Sequence, residues 1–260
     1  MPERDLDLLL EAARAAGEVA LGYTGKTAKR WEKPDGAGPV TEADIAVNLM
    51  LEKHLRAARP GYGWLSEESD DGKARLDHER VFIIDPIDGT RSFADGSDIW
   101  AHSIAIVENG RPIAAVVYLP ARNKMFAAAQ GTGAFLNGAQ IRVAERRDIA
   151  GAEMLATRPN MDASHWRRSG PPDVRRSHRP SLAYRMALVA QGKFDAMLTL
   201  RPAWEWDIAA GDLILREAGA IVTDRRGNPL QFNNAHPAQD GVIAANPAIH
   251  QQVLSALRPI

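Results

Sequence analysis

The spacing of apolar and polar side chains predicts that the first half of the chain begins with two helices. Residues 5–21 place leucines and alanines at helical spacing, and a second helix is predicted to begin near Thr41 and to end before Pro60. Thr41 and Asp44 have the spacing of a capping box, which marks a helix start. Residues 26–39, between the helices, are polar and contain glycines and prolines, which predicts a mobile loop or a loose hairpin.

Short apolar runs separated by turn signals follow the second helix. Residues 81–84 form a continuous apolar run, which predicts a buried strand. Asn109-Gly110 separates two further apolar runs, 103–107 and 113–119, and this dipeptide is a strong hairpin signal. Asn137-Gly138 marks another turn. The first half is therefore predicted to pack its helices on a largely antiparallel sheet.

Strands and helices alternate in the second half, which indicates a unit of α/β type. Strands are predicted at 154–157, 196–200, 220–223 and 242–245, and helices at 181–190, 208–218 and 247–257. Residues 158–180 are rich in arginine and proline and predict an irregular surface segment. The predicted fold class is thus mixed, α+β / α/β, with one subdomain at 1–148 and a second at 149–260.

Composition narrows the class of protein. The 260 residues carry a net charge of −1, which gives no electrostatic reason to expect nucleic acid or a membrane as a partner. The chain has no cysteine, so disulfides and cysteine-based zinc sites are excluded. No apolar run approaches the length of a bilayer span, and no signal-type apolar segment follows the charged first residues. We expect a soluble, cytoplasmic protein.

One apolar strand leads into a turn that combines metal-ligating and anion-binding features. The turn comprises residues 85–90, with the sequence D-P-I-D-G-T. Pro86 is expected to end the strand because proline cannot donate to a ladder. Asp85 and Asp88 offer hard oxygen ligands, and Gly89 lets the backbone approach a ligand closely. A helix opening here would present free N–H groups to a phosphate, so the turn predicts metal-assisted phosphate chemistry.

Carboxylates stand near element boundaries at two other places, and each has a structural alternative. Glu67 and Glu68 are predicted to lie in a loop, where glutamates are usually solvated. Asp207 precedes a predicted helix, where it could serve only as an N-cap. A lone D-x-x-D pair is common, whereas the longer D-P-I-D-G-T run after an apolar strand is far more specific.

Five separated motifs resemble the inositol monophosphatase-like family of metal-dependent phosphatases, in the family's order and across nearly the whole chain. They are Lys33, residues 40–44 (V-T-E-A-D), residues 66–69 (S-E-E-S), residues 85–90 and residues 206–211 (W-D-I-A-A-G). The resemblance implies a layered αβαβα sandwich with the site between its subdomains. It also implies two or three Mg²⁺ ions, inhibition by Li⁺, a small phosphate ester as substrate and a homodimer.

The same resemblance implies a set of metal ligands. Glu67 and Asp85 would bind a first Mg²⁺ together with the backbone carbonyl of Ile87. Asp85, Asp88 and Asp207 would bind a second, so that Asp85 bridges the two ions. Carboxylates clustered in this way repel one another and need cations to stay ionised together.

Catalytic and substrate-binding roles follow from the same motifs. Glu67 and Thr90 would position and activate the attacking water, with Asp44 hydrogen-bonded to Thr90. Asp44 could also only complete the capping box, and the two roles are compatible. Lys33, which would otherwise be a solvated lysine, would close over the site. The implied phosphate contacts are Asp88, Asp207 and the backbone N–H groups of Gly89 and Thr90.

Residues near the last metal aspartate differ between two branches of the family that act on different substrates. Inositol-specific members carry an acidic residue seven positions before the last metal aspartate, where this chain has Leu200. Residues 202–211 instead resemble the bacterial CysQ-type 3'(2'),5'-bisphosphate nucleotidases, with Ala203 and Ile208 in place of two threonines. Arg185 stands where those enzymes have a lysine. An arginine there could hold a second phosphate bidentately.

Further side chains could complete a nucleotide site, although each has a plainer explanation. Arginines are concentrated at Arg158, Arg167, Arg168, Arg175, Arg176, Arg179 and Arg185, and most of them are expected to be solvated. Trp204 and Trp206 could stack on an adenine, but aromatic side chains more often belong to a core.

The leading prediction is a Mg²⁺-dependent phosphomonoesterase. It would hydrolyse the 3'-phosphate of adenosine 3',5'-bisphosphate to AMP and phosphate with a metal-activated water, and so clear a by-product of sulfate assimilation. The first alternative is an inositol-1-monophosphatase or another small sugar-phosphate phosphatase. The second is a non-catalytic module that binds metal or phosphate.

Overall fold

The computed structural model describes residues 2–23, 28–33, 38–168 and 170–259, and this part of the chain contains six α-helices. They are α1 (Pro2–Leu21), α2 (Glu42–Ala58), α3 (Thr90–Ala94), α4 (Leu182–Ala190), α5 (Glu205–Glu217) and α6 (Pro247–Ala256). Thr41 caps α2, because its hydroxyl accepts from the N–H of Asp44 while the Asp44 carboxylate accepts from the N–H of Thr41. The predicted capping box is confirmed.

A short hairpin lies between α1 and α2. Its strands are β1 (Arg30–Glu32) and β2 (Pro39–Thr41), which pair antiparallel. The hairpin predicted within 26–39 is therefore confirmed in its strands. Residues 26, 27 and 34–37 of that stretch lie outside the described residues.

Seven strands form the larger sheet. In spatial order they are β3 (Gly63–Ser66), β4 (Arg80–Asp88), β5 (Ala101–Glu108), β6 (Arg111–Leu119), β7 (Lys124–Ala129), β8 (Gly133–Leu136) and β9 (Ala139–Ile141). Only β3 and β4 are parallel among these neighbours. Asn109 and Asn137 adopt φ near 49° at two hairpin tips, each followed by a glycine that also has positive φ. The prediction of a largely antiparallel sheet is confirmed.

Five strands of the second half form another sheet. In spatial order they are β11 (Val174–Ser177), β10 (Ala152–Ala156), β12 (Ala196–Thr199), β16 (Val242–Ala245) and β14 (Ile221–Thr223). A separate two-stranded pair consists of β13 (Ala203–Trp204) and β15 (Ala238–Gln239). Parallel pairing is confined to β10 with β11 and with β12.

Apolar side chains hold the helices and sheets in alternating layers. α1 and α2 pack on one face of the larger sheet, where they bury Phe82 and Ile84. α4 and α5 fill the space between the two sheets, so that Ile83, Leu213 and Met197 belong to one buried cluster. α6 covers the far face of the smaller sheet. The order α, β, α, β, α confirms the predicted mixed fold.

The strand before the acidic turn does not end at Pro86. β4 runs to Asp88, and its register with β5 shifts between Asp85 and Asp88. The irregular pairing accommodates a residue that has no N–H to donate. The Pro86 carbonyl accepts a hydrogen bond from Nδ1 of His102, a fully buried side chain on β5. The prediction that Pro86 terminates the strand was wrong because the register shift leaves Pro86 outside the ladder, where no N–H is required, while His102 donates to its carbonyl.

Two predictions for the second half were also wrong. Residues 158–180 contain strand β11, which pairs with β10, so the segment is not wholly irregular. α5 begins at Glu205 with Trp204 as its N-cap, rather than at 208. Asp207 therefore lies inside the first turn of α5, and its interpretation as an N-cap is excluded.

The two large sheets lie within residues 63–141 and 152–245. The subdomain boundary predicted near 148 lies between them and stays a prediction. None of the helices in the described part of the chain combines the length and apolarity of a bilayer span.

Candidate active site

Three carboxylates from three elements converge beside the acidic turn. Glu67 directly follows β3, Asp85 lies in β4, and Asp207 lies in the first turn of α5. One carboxylate oxygen of each lies within 4.8 Å of the other two. This donor set consists of hard oxygen atoms, which suits Mg²⁺.

Backbone pairing explains why these side chains meet. The N–H of Glu67 donates to the carbonyl of Ile84 at 3.1 Å, because β3 and β4 are parallel neighbours. The hydroxyl of Ser103, which is paired with Asp85 in the sheet, donates to the carbonyl of Trp206 at 2.7 Å. This bond holds the start of α5 against β5 and brings the next residue of the helix to the carboxylates.

The electrostatics of the cluster favour a bound cation. Burial raises the pKa of Asp85 well above its usual value, and repulsion from Glu67 and Asp88 raises it further. Burial likewise raises the pKa of Asp207, again reinforced by Asp88 and Glu67. A divalent cation among these groups would offset the repulsion and keep them ionised.

Asp88 lies beside this cluster but is tied to the second half of the chain. Its Oδ2 accepts hydrogen bonds from the hydroxyl of Ser181 at 2.7 Å and from the N–H of Ala183 at 2.6 Å. Ser181 is the N-cap of α4, and its hydroxyl also accepts from the N–H of Tyr184. Burial raises the pKa of Asp88 to about 6. These two donors serve Oδ2, and the backbone N–H of Leu182 also bonds to the carboxylate.

Asp44 and Thr90 form a second group next to the turn. The Thr90 hydroxyl lies 3.1 Å from Oδ1 of Asp44 and 3.1 Å from the carbonyl of Ile87. Oδ2 of Asp44 accepts from both the N–H and the hydroxyl of Thr41. Burial raises the pKa of Asp44 to about 6. Asp44 therefore completes the helix cap and contacts Thr90 at the same time, as the sequence allowed.

Lys33 reaches the carboxylates from the hairpin. Its Nζ lies 2.8 Å from Oε1 of Glu67 and 2.6 Å from Oε1 of Glu68. Burial alone would lower the pKa of Lys33, but the two glutamates outweigh it and raise that pKa. Burial raises the pKa of Glu68 to about 7, against the opposing effect of Lys33. The side chain of Lys33 is thus placed at the cluster rather than in solvent.

A cleft of about 410 Å³ opens beside the cluster and contains side chains from both halves. Glu67, Gly89 and Thr90 line it on the side of the acidic turn. Arg185 and Arg201 line it from the second half. The sequence singled out Arg185 but missed Arg201. Arg201 directly follows the buried, apolar Leu200, and only its spacing from Asp207 could have identified it.

The tryptophans lie differently from the expectation for adenine stacking. The rings of Trp204 and Trp206 stack on each other, with centroids 4.9 Å apart and an interplanar angle of 10°. His236 meets Trp204 edge-on. Neither tryptophan lines the 410 Å³ cleft. Trp206 packs against the buried cluster, as the core alternative expects, whereas Trp204 is 43% exposed and belongs to no core.

A layered αβαβα fold with buried carboxylates at the junction of its sheets is the architecture of a class of Mg²⁺-dependent phosphatases. The chain belongs to the inositol monophosphatase family, whose family model matches residues 1–260.

Individual relatives cover almost the whole chain. Nus factor SuhB of Xylella fastidiosa is 34% identical over 260 residues, which span 95% of this chain and 91% of that protein. Inositol-1-monophosphatase of Mesorhizobium japonicum is 32% identical over 266 residues, or 97% and 96% of the two chains. These similarities support the family; the nucleotidase specificity predicted from residues 202–211 is a separate question.

Solved structures agree with the fold. The IMPase of Thermotoga maritima superposes with a TM-score of 0.80 at 30% identity, covering 98% of this chain and 96% of that one. The extragenic suppressor protein SuhB of Bartonella henselae gives 0.80 at 29% identity, covering 97% of each chain.

Proposed function

We propose that this phosphatase removes the 3'-phosphate from adenosine 3',5'-bisphosphate, giving AMP and phosphate. Arg201, an exposed cation on the wall of the cleft that Arg185 also lines, carries this proposal. The ester of a neutral polyol brings one phosphate and needs no second cationic site, whereas a bisphosphate does. Leu200, which is apolar and 4% exposed, offers nothing to the hydroxyl groups of a sugar ring.

The residues present fit a metal site. In the proposal, Glu67, Asp85 and the Ile87 carbonyl hold one Mg²⁺, and Asp85, Asp88 and Asp207 hold another, with two or three ions in total. Bound Mg²⁺ supplies an activated water and neutralises charge on the phosphate. The three donors to Asp88 are compatible with this assignment, because an ionised carboxylate has about four lone-pair sites and keeps room for a metal.

Thr90 and Glu67 are proposed to orient the attacking water. The Thr90 hydroxyl has one proton, and donating it to Oδ1 of Asp44 leaves its lone pairs free to accept from water. Glu67 would accept the proton that the water loses. The backbone N–H groups of Gly89 and Thr90 are proposed to hold the phosphate, because Gly89 has φ +98° and α3 opens at Thr90.

A second candidate is hydrolysis of inositol 1-phosphate. The specific observation in its favour is the 32% identity with a protein named inositol-1-monophosphatase. The same metal ligands and the same water would serve both substrates, so the two functions differ only in how the leaving group is held. The remaining candidate is a non-catalytic module that binds metal or phosphate. The presence of every expected metal ligand weighs against it.

The test is phosphate release with Mg²⁺ from adenosine 3',5'-bisphosphate, with the nucleotide product identified by chromatography. The proposal expects AMP as the product and no release by Asp85→Asn or in EDTA. Adenosine 3'-phosphate as the product, or release of both phosphates to give adenosine, would contradict specific removal of the 3'-phosphate. Mg²⁺ binding by wild type without release from any phosphate ester would favour the binding module.

Three broader expectations belong to the same proposal. We propose a cytoplasmic homodimer that Li⁺ inhibits by replacing a Mg²⁺ ion. Light scattering on the purified chain tests the dimer, and a mass of one chain would contradict it. Li⁺ titration at several Mg²⁺ concentrations tests the inhibition, which should weaken as Mg²⁺ rises if the ions share a site.

A further inference from the structure

The guanidinium of Arg185 already makes hydrogen bonds to neighbouring residues of the chain. Its Nε donates to the carbonyl of Arg179, and its Nη2 donates to the carbonyl of Pro180 at 3.1 Å. The same Nη2 lies 3.2 Å from Nε2 of His178. Only 5% of Arg185 is exposed. These bonds fix the turn that leads into the N-cap of α4. Arg185 therefore stabilises the wall of the cleft, and little of its side chain is left to bind a ligand.

The contact with Arg185 defines the state of His178. Arginine has only donors, so Nε2 of His178 must accept, and a neutral ring then carries its proton on Nδ1. Burial and the charges of nearby arginines, Arg185 and Arg201 among them, lower the pKa of His178 and favour that neutral ring. In the described part of the chain, Nδ1 has no hydrogen-bond partner. His178 lines the cleft, so this N–H is a donor available there.

Arg201 differs from Arg185 because its guanidinium is free. No described residue forms a hydrogen bond or ion pair with its side chain, which is exposed in the cleft. Its backbone is nevertheless held. The N–H of the preceding Leu200 donates to Oδ1 of Asn160 at 3.2 Å, and the Leu200 carbonyl accepts from Arg225 at 2.9 Å. The backbone at Arg201 is therefore held in place, while its guanidinium is free to bind an anion.

Arg201 also stands where the cleft meets a second pocket. This side pocket has a volume of about 390 Å³ and shares Thr157 and Arg201 with the cleft. Leu200, Pro159 and His165 contribute to its wall. A leaving group that extends from the acidic turn past Arg201 would enter the side pocket.

We propose that Arg201 and the Nδ1–H of His178 form a subsite for a second anionic group on the substrate, with the rest of the leaving group in the side pocket. The inference rests on the proposed function and deepens it. The class of ligand is a small phosphate ester that bears a second phosphate, as nucleoside bisphosphates do. Arg185 is a positioning residue that holds His178 and the turn. The guanidinium of Arg201 and the ring N–H of His178 line the same cleft, and both are donors that phosphate oxygens accept.

Substrates that differ by one phosphate test the subsite. KM is measured for adenosine 3',5'-bisphosphate and for adenosine 3'-phosphate with wild type, Arg201→Gln and Arg201→Lys. The measured quantity is the ratio of the two KM values, which isolates the contribution of the second phosphate. Arg201→Gln should reduce this discrimination about tenfold or more, since a charged hydrogen bond is lost. Arg201→Lys keeps the charge but not the fork, and should fall between the two.

Arg175 supplies the matched control. It is an exposed arginine on β11 whose side chain has no hydrogen bond or ion pair with a described residue. Arg175→Gln removes the same charge and should leave the KM ratio at the wild-type value. Circular dichroism and thermal melting confirm that each variant is folded. An equal change in both KM values for Arg201→Gln, or an equal loss in Arg175→Gln, would overturn the subsite.

Failure of the subsite can be separated from failure of the proposed function. If wild type hydrolyses inositol phosphates but no nucleotide, the nucleotide assignment fails. The comparison is then repeated with inositol 1,4-bisphosphate and inositol 1-phosphate. Selective loss of discrimination in Arg201→Gln would support the second-anion subsite on that substrate, whereas unchanged discrimination would refute it.

Discussion

At the scale of single residues, Asp88 connects the acidic turn with α4. One of its oxygens accepts from the Ser181 hydroxyl and the Ala183 N–H. Asp88→Asn would either turn an amide N–H toward these donors or turn it toward the proposed metal. Both orientations remove a negative ligand, so kcat/KM should fall about 100-fold or more. Steady-state kinetics with saturating Mg²⁺ measures the loss.

The control for Asp88→Asn is a residue of the same type away from the cluster. Asp224→Asn changes a half-buried loop aspartate that accepts from the backbone N–H groups of Arg226 and Asn228. It should keep near-wild-type activity. Activity of folded Asp88→Asn within a few-fold of wild type would refute the role assigned to Asp88.

Lys33 allows a prediction about metal affinity. Its ammonium lies 2.8 Å from an oxygen of Glu67 that is proposed to bind Mg²⁺. A fixed positive charge there opposes a divalent cation, so Lys33→Gln should bind Mg²⁺ several-fold more tightly than wild type. Calorimetric titration measures the affinity.

Lys29→Gln is the matched control, because Lys29 pairs with Glu42 in an exposed position and its side chain is 83% exposed. It should leave Mg²⁺ affinity unchanged. Weaker binding by Lys33→Gln would show instead that Lys33 organises the glutamates for the metal, and would contradict the expected competition.

Residue-level features differ in how far the sequence predicts them. Glu67, Asp85 and Asp207 could be selected in advance, because their motifs are specific and the structure brings their oxygens together. Arg201 and His178 could not, since no short motif marks them. The Nδ1–H of His178 is free to donate because Nε2 contacts Arg185, and only the three-dimensional structure shows that contact.

At the scale of elements, the N-cap of α4 should matter for both stability and activity. Ser181→Ala removes the cap bond to Tyr184 and the bond to Asp88. Loss of a cap should lower the free energy of unfolding by about 1 kcal/mol. Because Asp88 also loses a donor, kcat/KM should fall by more than the stability change explains. Chemical denaturation and kinetics on the same samples measure the two effects.

The cap of α6 separates these effects. Asn246 accepts from the N–H of Ile249 at 3.0 Å and caps a helix that covers the far face of the smaller sheet. Asn246→Ala should lose at least about 1 kcal/mol of stability while kcat/KM stays close to wild type. Equal activity losses in the two variants would show that Ser181 acts through stability alone.

Element boundaries show where local sequence rules fail. The helix start at Thr41 was predictable because the capping box is local. The continuation of β4 through Pro86 was not, since a register shift and a bond from His102 are contributed by the neighbouring strand. β11 escaped prediction because its pairing with β10 joins backbone segments about 20 residues apart.

At the scale of the whole molecule, the buried carboxylates should make metal-free stability depend on pH. Burial raises the pKa of Asp88 to about 6 and of Glu68 to about 7, above the values of an unfolded chain. The folded state therefore binds these protons more tightly, and the stability they contribute is lost as pH rises through about 6 to 7. Metal-free Tm should fall between about pH 6.5 and about pH 7.5 and level off above that.

Mg²⁺ should reverse this trend, because the ionised carboxylates bind it. The Tm increase caused by Mg²⁺ should be larger at the higher pH, as metal and protons compete for the same oxygens. Burial lowers the pKa of His102 to about 4, so its opposite contribution to stability arises mainly below its unfolded value of about 6.5. A metal-free Tm that is constant or rises across the window, with an equal Mg²⁺ effect at both ends, would contradict the carboxylate cluster as the metal site.

The layered architecture was predictable for a reason that operates at this scale. Apolar runs such as 81–84 must be covered on both faces, and the helical segments on either side of them supply the cover. Which strands become neighbours across the smaller sheet was not predictable, because β16 inserts between β12 and β14 through long-range pairing.

The central claim is that this family member acts on a nucleoside bisphosphate. The most direct measurement places adenosine 3',5'-bisphosphate and inositol 1-phosphate in one reaction at equal concentration with Mg²⁺ and follows both. The ratio of their initial rates equals the ratio of kcat/KM values. We expect the nucleotide to be consumed at least about tenfold faster, because a charged contact is made to its second phosphate. Equal rates, or faster consumption of inositol 1-phosphate, would contradict the preference for a nucleoside bisphosphate. The assignment to a family of metal-dependent phosphatases would be unaffected.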